Sequence, residues 1–162
     1  MDIIVDTREQ RALIFKRKGV DTVEYKGLKV GDYSLKGYEN KIAIERKSPG
    51  DLFGTLGGGH KRFKKELEKS KLLDYFAIVI EGSYSKIINK DFEGSHHTRM
   101  RGYVITSILF TLHVKYNINV FFANNRNEAK NIIREIFKAY LKYQEIINRG
   151  DKNGKVSGAT PP

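Results

Sequence analysis

The chain has no cysteine, no tryptophan and only three prolines in 162 residues. Without cysteine there is no disulfide framework, no thiolate zinc site and no cysteine nucleophile. No apolar run approaches the ~18 residues of a membrane-crossing helix. The opening Met1-Asp2-Ile3-Ile4-Val5-Asp6 is acidic and runs straight into a strand-like segment, unlike a secretory signal. The expectation is an intracellular protein without a membrane partner, in the cytoplasm of a prokaryote or the nucleus of a eukaryote. Acidic residues are the other shortage: 19 Asp and Glu stand against 30 Lys and Arg, a net charge of +11. That imbalance favours a polyanionic partner, nucleic acid ahead of a membrane surface. The run Gly57-Gly58-Gly59 is no phosphate-binding Walker loop, because no Gly-Lys-Ser/Thr follows it. His96 and His97 are adjacent, so they would not point together on a helix or strand, and they read as loop residues.

With 40% apolar and 30% charged residues, the chain suits one globular domain with a real core. That domain is expected over residues 1–148, followed by a disordered tail over 149–162, where apolar periodicity stops. Strands are expected at 2–6, 20–25, 30–35 and 41–48, the last three joined by glycine turns as an antiparallel meander. A short helix is expected over 11–19, another from Ser48-Pro49-Gly50-Asp51 to the glycine run, and a lysine-rich one over 60–71. The apolar, β-branched run 75–81 reads as a central strand buried on both faces. A short helix over 83–89, helices over 98–116 and 126–148 and a strand over 118–122 complete an α/β chain. In the last helix Ala129, Ile132, Ile133, Ile136, Phe137, Tyr140 and Leu141 follow helical spacing, and Tyr143 and Ile146 widen the stripe. This surplus apolar surface on the C-terminal helices suggests a subunit interface.

The chemistry gathers around Ile42-Ala43-Ile44-Glu45-Arg46-Lys47. In a strand, alternate side chains share a face, so Ala43, Glu45 and Lys47 point opposite to Ile42, Ile44 and Arg46. Asp32, in Gly31-Asp32-Tyr33, supplies a second carboxylate, and Asp6 can project where the sheet opens. The pattern Asp32-x12-Glu45-x-Lys47 is one that a metal-dependent nuclease uses. Its carboxylates hold a hard divalent cation, and its lysine aligns water or phosphate. Taken alone it is also compatible with an ordinary turn and strand end. On the helix over 60–71, Phe63, Glu66 and Leu67 lie on one side. Lys61, Arg62, Lys64 and Lys65 are candidates for contacting DNA phosphates.

Four blocks in order make the pattern more specific: Val5-Asp6-Thr7-Arg8-Glu9, Gly31-Asp32-Tyr33, Ile44-Glu45-Arg46-Lys47-Ser48 and Asp51-Leu52. With Arg62-Phe63 and the strand ending at Glu81, they make residues 2–147 resemble the XPF/Mus81 (ERCC4-type) nuclease domain. The resemblance implies a restriction-endonuclease-like fold, a mixed central sheet flanked by helices. It implies Mg²⁺ or Mn²⁺ dependence, a role in DNA repair and recombination, and cleavage of branched or forked DNA near a duplex–single-strand junction. Carried onto this chain, it makes Asp6, Asp32 and Glu45 the metal-binding acids and Lys47 the motif lysine. Arg8, Glu9, Arg46 and Asp51 complete the catalytic site, with Glu66 as an accessory acid. It also implies a homodimer, or a heterodimer with a related subunit. Family members usually carry a tandem helix-hairpin-helix after the nuclease; here that grip on DNA is expected from the dimer or a partner. A Holliday-junction resolvase of the same fold and a non-catalytic DNA-binding partner subunit are the alternatives. A basic RNA-binding module is weaker, because the aromatics sit in apolar segments rather than on exposed stacking platforms.

Overall fold

Alternation along β4 (Ile42–Lys47) divides the interior in two. A computed structural model describes residues 1–15 and 21–152, without the side chains of His60, Arg62, Asp151 and Lys152. β4 lies within a mixed sheet with β1 (Asp2–Val5), β2 (Thr22–Tyr25), β3 (Tyr33–Leu35), β5 (Tyr75–Ile80) and β6 (Asn119–Phe122), in the order β2-β1-β3-β4-β5-β6. Ile42 and Ile44 join Ile3, Val5, Tyr33, Ala77 and Val79 under the last helix, α5 (Arg126–Lys152), which contributes Ala129, Ile133, Phe137 and Tyr140. On the opposite face Ala43, Phe76, Ile78 and Ile80 pack against α1 (Pro49–Gly57), α2 (His60–Ser70), α3 (Tyr84–Asn89) and α4 (Gly102–Tyr116). β5 therefore has apolar neighbours on both faces, as its unbroken apolar run requires.

The meander is only half present. β3 and β4 pair antiparallel, but β2 pairs parallel with β1, which separates it from β3. Burial explains the order. Ile3, Ile4 and Val5 are wholly buried, so β1 takes a strand on each edge. β2 exposes Thr22, Glu24 and Tyr25 and suits the edge of the sheet. The helix expected over 11–19 is absent from residues 11–15; the rest of it, residues 16–20, lies outside the described residues. Leu13 and Phe15 are buried and Ile14 between them is exposed, a period of two rather than of a helix.

Caps fix the helix ends. The Ser48 hydroxyl accepts from the Asp51 amide and Pro49 opens α1, so β4 turns at once into a helix. α4 begins at Gly102, not at residue 98. A Cβ there would sit 2.1 Å from the Ile88 carbonyl oxygen, so α3 and α4 meet this closely only through glycine. Asn117 closes α4 in the left-handed conformation. α5 continues to Lys152, beyond its expected end; residues 153–162 of the expected tail lie outside the described residues.

Candidate active site

Gly31 explains how Asp32 reaches β4. Its φ is +73°, and a Cβ there would stand 3.0 Å from the Ile44 carbonyl oxygen, so only glycine lets this turn press against β4. The Asp32 amide then donates to the Ile44 carbonyl at 2.8 Å, and the Asp32 carbonyl accepts from the Asp6 amide at 2.8 Å. Asp32 Oδ2 accepts from the Arg46 amide at 2.7 Å. Glu45 and Lys47 project from β4 on the α1/α2 side, and Lys47 Nζ lies 2.5 Å from Glu45 Oε1. The same ammonium stands 5.6 Å from the centre of the Phe63 ring, a cation–π contact with α2.

Asp32, Glu45 and Lys47 line one cleft of about 570 Å³ together with Asp6, Arg8, Lys65 and Glu66. A recess of about 700 Å³ shares Asp32, Glu45 and Lys47 and extends past Glu9, Ser48 and Asp51. Burial and then the negative charge of Asp32 push the Glu45 carboxyl up to about 8, despite the Lys47 ammonium beside it. Burial pushes Asp32 up to about 6, against the Arg46 amide that favours its ionised form. Burial would lower the Lys47 pKa, but Glu45, Glu66 and Asp32 raise it, so the ammonium stays charged. The site is thus a half-buried and a buried carboxylate side by side, desolvated and with too little positive charge to ionise fully.

Asp32 Oδ1, Glu45 Oε2 and both oxygens of Glu66 accept no hydrogen bond among the described residues. No three acidic or histidine side chains there stand close enough to cage an ion by themselves. Mg²⁺ is ordinarily held by one or two carboxylates plus waters and substrate phosphate, so two carboxylates with free oxygens at a wet cleft fit such an ion.

Asp6 shares the cleft, but its carboxylate is engaged elsewhere. Oδ1 accepts from the Arg8 amide (2.8 Å) and Nε (2.7 Å), and Oδ2 from Arg8 Nη2 (2.9 Å) and the Leu28 amide (2.6 Å). Burial would raise its pKa, and these bonds together hold it low. Arg8 itself is largely exposed and lines the cleft. The Arg46 side chain points off β4 opposite to Glu45 and Lys47, though Arg46 and Glu9 still line the recess; its guanidinium binds Glu9 at 2.9 Å and Glu81 at 3.1 Å, with all three side chains largely shielded from solvent. Asp51 accepts from the Ser48 hydroxyl at 2.6 Å and lies at the recess. Of the four candidate DNA contacts, Lys65 lines the cleft. Lys64 faces a groove between α2 and α4, Lys61 is exposed and is not among the residues lining the cleft, and the Arg62 side chain lies outside the described residues. Sequence reasoning missed Lys69, Lys29, Gln10 and Thr55, which also line the cleft. Lys69 was available as the i+4 neighbour of Lys65; the other three sit in irregular segments or on α1, without a periodicity to mark them.

This arrangement defines a class. The family model for the ERCC4 domain matches residues 5–136, and the chain belongs to that family. The DNA repair endonuclease XPF of Cricetulus griseus is 33% identical over 116 residues, covering 68% of this chain and 12% of that protein. The Mus musculus XPF matches to the same extent, so the chain spans only 12% of the length of these curated relatives. Among solved structures, XPF from Aeropyrum pernix superposes with a TM-score of 0.65 at 19% identity, over 92% of this chain and 69% of that one. The same protein in complex with DNA gives 0.62 at 20% identity, over 87% and 65%. The fold is restriction-endonuclease-like, a mixed six-stranded sheet flanked by helices.

Proposed function

We propose that this chain is the nuclease module of a metal-dependent, structure-specific DNA endonuclease that hydrolyses branched DNA near duplex–single-strand junctions. The observation that carries the reading is the pairing of Asp32 and Glu45, each with a free oxygen, beside the charged Lys47 in one cleft. A Mg²⁺ or Mn²⁺ ion bound by this pair would polarise the scissile phosphate and acidify a bound water. Lys47, held by Glu45, would donate to a phosphate oxygen and offset charge that develops in the transition state. Glu66 faces the same space as an accessory acid, and Asp6 acts through Arg8, keeping that guanidinium at the rim for phosphate. Lys29, Lys65 and Lys69 supply phosphate contacts that position the duplex without reading its sequence.

Dimerisation through the C-terminal helices belongs to the same reading. Among the described residues β6 is an open sheet edge, with exposed Tyr103, Phe110 and Val114 of α4 on one side and the Ile132, Ile136 and Tyr143 groove of α5 on the other. An apolar face on both flanks of an unpaired edge suits a second copy or a related subunit. The protein would act where such DNA is found, in a nucleus or a prokaryotic cytoplasm.

A panel of labelled flap, fork and four-way substrates tests the activity with Mg²⁺ and with Mn²⁺. Flap or fork cleavage that disappears in Asp32→Asn and Glu45→Gln, with binding retained, is the expected result. Preference for four-way junctions would instead indicate a resolvase. Salt-sensitive binding without any cleavage would indicate a non-catalytic partner subunit.

A further inference from the structure

We propose that Glu81 and Arg126 are positioning residues for cleavage, acting from the face of the sheet opposite the reacting groups; this rests on the nuclease reading above. Glu81 directly follows β5 and grips the catalytic strand twice. Its amide donates to the Lys47 carbonyl at 2.8 Å, and its carboxylate binds Arg46 Nη1 at 3.1 Å. Arg46 transmits that grip through the sheet, because its own amide is the donor that holds Asp32 Oδ2. The far face thus fixes the residue whose backbone orients one metal-site carboxylate, between the two residues Glu45 and Lys47 that present the other groups.

Arg126 makes the arrangement electrically complete. The Glu9 and Glu81 side chains are 7% and 8% exposed, and Arg46 between them is 7% exposed, so one cation serves two buried carboxylates. Arg126, the first residue of α5, binds Glu81 through Nη1 at 3.1 Å and brings the chain Glu9–Arg46–Glu81–Arg126 to neutrality. Its Nη2 also donates to the Arg11 carbonyl at 2.6 Å, which anchors the segment that carries Glu9 and Gln10. One guanidinium therefore joins the start of α5, the end of β5 and the loop behind β1. Without it, a surplus buried negative charge pulls Arg46 off centre, and the Arg46 amide moves away from Asp32.

The test uses the full chain with Arg126→Met, which keeps the aliphatic stem, Arg126→Lys, which keeps the charge, and Glu81→Gln. Two readouts are taken well below each melting temperature: amide hydrogen exchange without metal, and single-turnover cleavage of a forked duplex at saturating protein. In Arg126→Met the Arg46 amide should exchange at least ~10-fold faster, while the Ile44 and Ile78 amides, central in the same sheet, keep their rates. The cleavage rate constant should fall ~10-fold or more with the dissociation constant for DNA within ~2-fold, the pattern of lost alignment rather than lost binding. Arg126→Lys should recover part of both effects, and Glu81→Gln should reproduce them if Arg126→Met fails to fold. Uniform acceleration of all sheet amides, or wild-type cleavage in folded Arg126→Met or Glu81→Gln, overturns the proposal. An inert wild-type protein overturns the nuclease reading and this proposal with it, and is told apart because the wild type itself fails.

Discussion

Raising the pH should destabilise the metal-free protein, and the site dictates both the sign and the size. Asp32 and Glu45 are raised in the folded state, to about 6 and about 8 from 3.8 and 4.5. Above those lower values the unfolded chain has lost protons that the folded pair still binds. Stability then falls by about 1.4 kcal/mol per pH unit for each proton so retained. Between about pH 6 and pH 7.5 the retained proton is chiefly that of Glu45, giving a loss of roughly 2 kcal/mol. For a chain of this size that lowers the melting temperature by about 4–8 °C. The comparison that isolates the pair is with Glu45→Gln, which has no proton to lose. Thermal melts in EDTA at both pH values should show the loss in the wild type and not in the variant. Millimolar Mn²⁺ should remove it from the wild type as well, because a bound divalent cation displaces the proton. Equal pH slopes in wild type and Glu45→Gln would refute the account of a charge-starved carboxylate pair.

Gly31→Ala should cost at least ~1–2 kcal/mol from its left-handed backbone alone and reduce cleavage, because relief of the contact with Ile44 moves Asp32. Chemical denaturation and single-turnover cleavage would measure the two effects, and a wild-type rate would separate the turn from the site. Arg46→Ala should destabilise by ~3–5 kcal/mol, since it strands Glu9 and leaves Glu81 to Arg126 alone. A loss under ~1 kcal/mol by denaturation would mean those carboxylates are solvated or protonated. Lys65→Ala with Lys69→Ala should lower the salt slope of DNA binding by about 2 with little change in the rate from bound complex. An unchanged slope would place the duplex elsewhere.

The parts of this site legible in the sequence are those governed by local periodicity. Alternation along Ile42–Lys47 sets Glu45 and Lys47 against Arg46, and the two cores divide on that alternation. Gly31 and Asp32, expected inside a strand over 30–35, form instead a left-handed turn ahead of β3, whereas helical spacing put Glu66 beside Phe63 and Leu67, where it faces the cleft. What could not be read depends on which strands become neighbours. Short glycine turns argue for pairing in chain order, yet β1 enters between β2 and β3, because a fully buried strand gains more from two partners than an amphipathic one. The long-range fold brings the Leu28 amide to Asp6, where it joins three bonds from the neighbouring Arg8, so a residue read as a metal ligand is already held by four hydrogen bonds. Arg46 shows the same limit from the other side: alternation gave its direction, but Glu81 and Arg126 reach it only through β5 and the start of α5. Residues that act on a strand end through a neighbouring strand leave no local pattern, which is why the far-face charges emerge only once the sheet order is known.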